Sequence, residues 1–178
     1  MASPGFSQEK KTLNAAEIGT AMHLVMEKID FSEALAKGTE YILAKVDELA
    51  ASGELSEEER AVINIENVAA FFENCVGKRA VCALRLEKER EFILLKEVNG
   101  AEAIVQGIID CYFEEEDGLV LVDYKNSFMG GSVSEADIIE RYKGQIELYK
   151  EALEGAEGKP VKEAYLYLFE LNKFIEVK

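Results

Sequence analysis

The stretch GIIDCYFEEEDGLVLVDYKNS, residues 107 to 127, constrains the fold more than any other part of the chain. Two runs rich in Ile, Val, Leu and aromatic residues flank the acidic segment EEEDG, the pattern of a β-hairpin. The runs are apolar on both faces, with Ile108 and Ile109 in the first and Leu119, Val120, Leu121 and Val122 in the second. Strands of that kind are covered on both sides, so they belong in a sheet with other elements packed over it. Asp110, Asp123 and Lys125 interrupt these runs. A solvated strand face carries such charges harmlessly, but charges set between buried positions need a reason.

Hairpin pairing supplies one. A turn centred on residues 116 and 117 places Asp110 opposite Asp123, whereas a tight turn at Asp117-Gly118 places Asp110 opposite Lys125. Either register gathers acidic and basic groups, and Asp123 and Lys125, two residues apart, share one face of their strand. Two converging carboxylates repel unless a proton or a cation lies between them, and hard oxygen ligands suit magnesium or manganese. An ammonium beside them orients water or steadies negative charge during reaction. The pattern fits a phosphodiester-cleaving site, with a solvated strand face as the other reading.

The rest of the chain reads as a helical first half, a sheet-like centre, one more helix and two closing strands. Residues 14 to 29 place Ile18, Met22, Val25, Met26 and Ile29 at helical spacing. A second helix is predicted over 39 to 50, ending near Gly53. A third begins at the capping box Ser56 to Glu59 and runs through Phe71 and Phe72 to Gly77. Beyond Gly77 the alternation predicts strands near 80 to 86 and 89 to 96, with helix an alternative for the first. Ser134 caps a further helix that stops at Gly155, and AYLYLFE and KFIEV form a final hairpin.

The 178 residues are most simply one domain, a helical lead-in over 1 to 77 followed by a sheet-and-helix core over 78 to 178. Cys75, Cys82 and Cys111 are scattered, with no CxxC pair and a single His, His23, which argues against a zinc site, an iron–sulfur cluster or a disulfide framework. MASPGFSQEKK lacks an apolar signal-peptide core and no apolar run reaches membrane-spanning length, so an intracellular, membrane-free location is expected. The net charge of −15 repels nucleic acid over most of the surface. Arg79, Arg85, Arg90, Arg141 and Lys143 are candidates for a local positive rim. No GxxxxGK[ST] phosphate loop occurs, so the chain is not itself an ATP-driven motor.

Asp110, twelve residues, then Asp123-Tyr124-Lys125 resembles the core of the PD-(D/E)XK nuclease superfamily, in particular its RecB-like branch with the form GxxD…DYK. GTAMH at 19 to 23 is similar to that branch's N-terminal His motif, and GQIELY at 144 to 149 to its downstream Gln-xxx-Tyr motif. The resemblance runs from about residue 10 to the end and is closest to nuclease domains at the C-termini of bacterial ATP-dependent helicase/nuclease subunits.

What it implies is an α/β, restriction-endonuclease-like fold, with a central mixed sheet flanked by helices and a helical N-terminal part. It further implies a magnesium-dependent deoxyribonuclease, manganese substituting and no iron–sulfur cluster, that processes double-strand DNA ends for recombinational repair in the cytoplasm. DNA, the helicase portion of a parent chain and a second helicase/nuclease subunit would be its partners. By position, His23, Glu89, Asp110, Asp123 and the Tyr124 carbonyl would hold metal. Lys125 would position or activate the attacking water, and Gln145 and Tyr149 would border the site and contact DNA or Lys125. Asn126-Ser127 departs from the Thr-Asp that usually follows DYK, which leaves a catalytically silent DNA-end-binding or scaffold module as the alternative. An acidic protein-interaction domain with structural hairpin charges is a second rival.

Overall fold

The computed structural model describes residues 12–98, 100–126 and 133–178. Six helices come first: α1 (Ala15–Lys28), α2 (Phe31–Lys37), α3 (Thr39–Ser52), α4 (Glu57–Val62), α5 (Ile65–Glu73) and α6 (Cys75–Cys82). The strands β1 (Arg85–Val98), β2 (Ala101–Glu115) and β3 (Gly118–Lys125) form a meander. Helix α7 (Glu135–Glu157) then leads to β4 (Val161–Leu168) and β5 (Lys173–Glu176). Sheet order follows the chain, β1-β2-β3-β4-β5, with every pair antiparallel except β3 and β4, for which α7 is the crossover. A central mixed sheet flanked by helices, with a helical N-terminal part, is thus what the resemblance implied.

Two hydrophobic layers explain the runs that are apolar on both faces. One side of the sheet, carrying Cys111, Phe113, Val120, Val122, Tyr124 and Tyr167, packs on the N-terminal helices. At its centre Phe71 makes ring contacts with Phe31, Phe72, Tyr124, Tyr167 and Phe174 at 5.0–5.9 Å. The other side, with Leu119, Leu121, Leu166 and Leu168, is covered by Ile138, Ile146, Tyr149 and Leu153 of α7. No helix among the described residues is long and apolar enough to cross a membrane.

Several expected boundaries shift for identifiable reasons. The predicted third helix is three helices, because the Asn64 and Asn74 side chains accept from the backbone N–H of Asn67 and Val76 and restart the chain as N-caps. Helix α6 replaces the strand expected at 80 to 86, so the helical part extends to Cys82, and Gly77 lies inside α6 rather than ending a helix. A single long β1 follows. Helix α2 was not anticipated; Asp30 caps it by accepting from Glu33 N at 2.9 Å. Helix α7 continues past Gly155 and ends at Gly158, whose φ of 65° suits a left-handed cap. The hairpin takes the first of the two registers, with Glu115 opposite Gly118 and Glu116-Asp117 as the turn.

Candidate metal-dependent nuclease site

Asp110 and Asp123, 6% and 1% exposed, are the two buried charged side chains among the described residues. Their setting begins with an irregularity shared by β1 and β2. Lys88 pairs with Cys111 and Arg90 with Ile109, so the register holds across Glu89 and Asp110. The faces do not hold. Leu86, Cys111 and Phe113 pack on the N-terminal helices, whereas Phe92 and Ile109 pack on the α7 side, although regular alternation would keep Leu86 with Phe92 and Ile109 with Cys111. Both strands therefore reset their alternation around Glu89 and Asp110. Glu89 has φ 49°, an unusual conformation for a residue with a side chain, of the kind that functional sites retain.

The reset turns Glu89 and Asp110 toward His23 on α1. His23 Nδ1 lies 3.3 Å from Asp110 Oδ1 and 3.7 Å from Glu89 Oε1. One ligand atom from each of the three falls within 4.8 Å of the others, close enough to hold a metal ion. Burial disfavours the imidazolium, but hydrogen bonding and charge from Asp110 and Glu89 outweigh it and raise His23 to about 10. Asp110 Oδ2 accepts the Tyr124 N–H at 2.6 Å and so replaces the next rung of the β2–β3 ladder, which ends at Cys111 opposite Val122. The Tyr124 ring lies in the helical-side core, 5.7 Å from the His23 ring.

Asp123 stands outside that triad but feels it. Burial foremost, then the Asp110 charge, pushes its carboxyl up to about 6 against the pull of Lys125 and His23. Lys125 Nζ sits 2.5 Å from Asp123 Oδ2, a charge contact without hydrogen-bond alignment. The ammonium donates instead to Gln145 Oε1 at 3.1 Å, Gln145 Nε2 donates to Tyr149 Oη at 2.7 Å, and the Tyr142 ring lies 4.6 Å away. Burial holds the Tyr149 hydroxyl above its ordinary pKa. These α7 residues share a face because they are spaced three and four apart.

The site thus has two halves, His23–Glu89–Asp110 and Asp123–Lys125–Gln145–Tyr149, joined by the adjacent strands β2 and β3. Glu89 Oε1 and Asp123 Oδ2 are buried without a hydrogen-bond partner. Glu89 Oε1 beside the His23 imidazole and Asp123 Oδ2 beside the Lys125 ammonium are hard oxygen donors of the kind that fit a divalent cation. Asn126 is half-buried near Met22, and Ser127 lies outside the described residues.

The expected positive rim does not assemble from Arg79 and Arg85. Arg79 is bound by Glu115 and Glu163, and Arg85 by Glu157 and Glu114, at the opposite end of the hairpin. Arg90, Arg141 and Lys143 are exposed. Tyr142 and Lys88 are site neighbours that the sequence did not single out. Tyr142 was detectable as the residue three before Gln145 on one helix face, and Lys88 as a cation two residues after the apolar Leu86.

The sequence of residues 4–176 matches the PD-(D/E)XK nuclease superfamily, and the chain belongs to it. Members of this superfamily use divalent metals. The chain is 43% identical to an ATP-dependent helicase/nuclease subunit of Thermoanaerobacter sp. (strain X514), over 98% of its own length and 15% of that protein. It is 41% identical to the protein of the same name from Clostridium novyi (strain NT) and 38% to that from Alkaliphilus metalliredigens (strain QYMF), with the same coverage. The chain spans about 15% of the length of these curated relatives.

Proposed function

We propose that this chain is a single nuclease domain, acting on DNA ends with magnesium, or manganese in its place, alongside a helicase portion and a second helicase/nuclease subunit in cytoplasmic recombinational repair. The observation that carries the reading is the convergence of His23, Glu89 and Asp110 beside the Asp123–Lys125 ion pair, with a buried Glu89 oxygen that no hydrogen bond satisfies. The relatives' name supports the helicase association. A partner that holds DNA also accounts for a nuclease with a net charge of −15, since it raises the local DNA concentration.

The reaction is phosphodiester hydrolysis, in which a water oxygen bonds to phosphorus, a P–O ester bond breaks and the departing oxygen takes a proton. Asp110, Asp123, Glu89 and His23 would hold the cation, with the Tyr124 carbonyl as a further ligand. When bound, the cation supplies charge that polarises the phosphate and lowers the pKa of water. The Tyr124 N–H fixes Asp110 Oδ2 and leaves Oδ1 toward His23. Lys125 orients the attacking water and steadies charge on the phosphate, its ammonium held by Asp123 on one side and Gln145 on the other. Tyr149 holds the Gln145 amide and, with it, borders the DNA path.

The test is cleavage of end-labelled single- and double-stranded DNA with Mn²⁺, Mg²⁺ or EDTA, with Asp123→Ala in parallel and Mn²⁺ binding measured by calorimetry. Cutting and metal binding that both disappear in Asp123→Ala support the assignment. Cutting that persists in the variant or in EDTA overturns it, as does a chain that binds no metal.

A further inference from the structure

We propose that Lys88 is a positioning residue that sets the helix carrying His23 against the strand carrying Glu89. This rests on the metal-binding reading of the triad and adds a residue to it. Lys88 Nζ donates to the backbone carbonyls of Glu27 at 2.5 Å, Ile29 at 2.6 Å and Met26 at 3.3 Å. Met26 and Glu27 lie in the last turn of α1 and Ile29 is its C-cap. Carbonyls there have no partner within the helix, and the helix dipole adds negative potential. An ammonium offers three donors, matched here by three acceptors.

A surface role does not account for this lysine. Among the described residues it has no ion pair, and its ammonium sits 4.9 Å from the Phe31 ring centre. Burial lowers its pKa.

The geometry concerns the triad. Glu27 is one helical turn beyond His23, and Lys88 is the neighbour of Glu89. One side chain therefore ties the backbone that carries the imidazole to the backbone that carries the carboxylate. Metal–ligand distances at a well-formed site stay within roughly 0.2 Å of their ordinary values, so any freedom of the helix relative to the strand loosens the site. Hydrogen bonds to the strand remove that freedom.

The experiment compares the unsubstituted chain with Lys88→Met and Lys88→Arg in two measurements. Calorimetry gives the Mn²⁺ affinity, and the ¹H–¹⁵N spectrum of the one imidazole in the sequence reports the surroundings of His23 without metal. Lys88→Met is expected to fold, weaken Mn²⁺ binding by about 10- to 100-fold, as loss of supporting contacts around metal ligands does, and move the imidazole signals. Lys88→Arg, which keeps charge and donors, should recover most of both. A folded Lys88→Met with Mn²⁺ affinity within about twofold of the original and unmoved imidazole signals overturns the proposal. Should Lys88→Met not fold, Lys88→Gln keeps the methylene stem and is read by the same criteria. A chain that binds no Mn²⁺ at all refutes the metal reading, while the imidazole comparison still decides whether Lys88 positions His23.

Discussion

Replacing Asp123 by Asn should stabilise the metal-free protein while removing its activity. Asp123 is 1% exposed, and burial together with the Asp110 charge raises its carboxyl from 3.8 to about 6 despite Lys125 at 2.5 Å. A raised carboxyl pKa means that the folded state holds the proton more tightly than the unfolded one. Stability contributed by this group is therefore greatest below 3.8, falls as pH rises toward 6, and stays reduced above it. The rise corresponds to roughly 3 kcal/mol against the ionised form. Asn keeps the shape and removes the charge. At pH 7.5 in EDTA its melting temperature should exceed that of the unsubstituted chain by up to about 6–12 °C, using the ~2–4 °C per kcal/mol expected for this size. The difference should disappear near pH 3.5, where both side chains are neutral. Mn²⁺ at about 1,000 times its Kd should reverse the order, because it stabilises the metal-binding form by about 4.1 kcal/mol, more than the roughly 3 kcal/mol at stake, and the variant gains little. Thermal unfolding followed by circular dichroism reads all three conditions. Asn that lowers the melting temperature at pH 7.5 in EDTA would refute the claim that the ionised carboxyl is held at a cost.

Two further outcomes follow from the same geometry. Metal binding at His23 must displace the proton that Asp110 and Glu89 hold there up to about 10, so Mn²⁺ affinity should increase by up to about tenfold per pH unit between 6.5 and 8.5 with proton release; calorimetry in buffers of different ionisation enthalpy measures it, and pH-independent affinity contradicts it. In Gly77→Ala the new Cβ would lie 1.9 Å from the Phe71 carbonyl oxygen and 2.8 Å from its carbon, so α6 must leave α5. The loss should exceed the ~1–3 kcal/mol usual for overpacking; an unchanged denaturation midpoint in urea would contradict it.

The candidate-site residues lie far apart in sequence, and how far each could be read depended on whether its signal was local. Asp110, Asp123 and Lys125 stood out because charges interrupt runs that are apolar on both faces, a pattern that period and composition expose. The caps at Asn14, Ser56 and Ser134 are also local, each side chain reaching a backbone N–H within three residues, and the helices they cap start where the pattern placed them. Asn64 and Asn74 are equally local caps, but inside one apolar period they were hidden by the continuity of the buried face. The hairpin register stayed open between two turns because both satisfy the alternation and bury the same faces of β3; the chain adopts the one with Glu116-Asp117 as the turn.

Sequence alone thus determined which residues could do chemistry here: paired carboxylates, one lysine and one histidine. It did not determine that both strands reset their faces at Glu89 and Asp110, that the Tyr124 N–H turns from the ladder to a carboxylate, or that Lys88 closes the end of α1. Those are relations between residues 14 to 62 positions apart along the chain. No local propensity encodes them, because each exists only once the helical layer and the sheet are pressed together and backbone groups there are cut off from water.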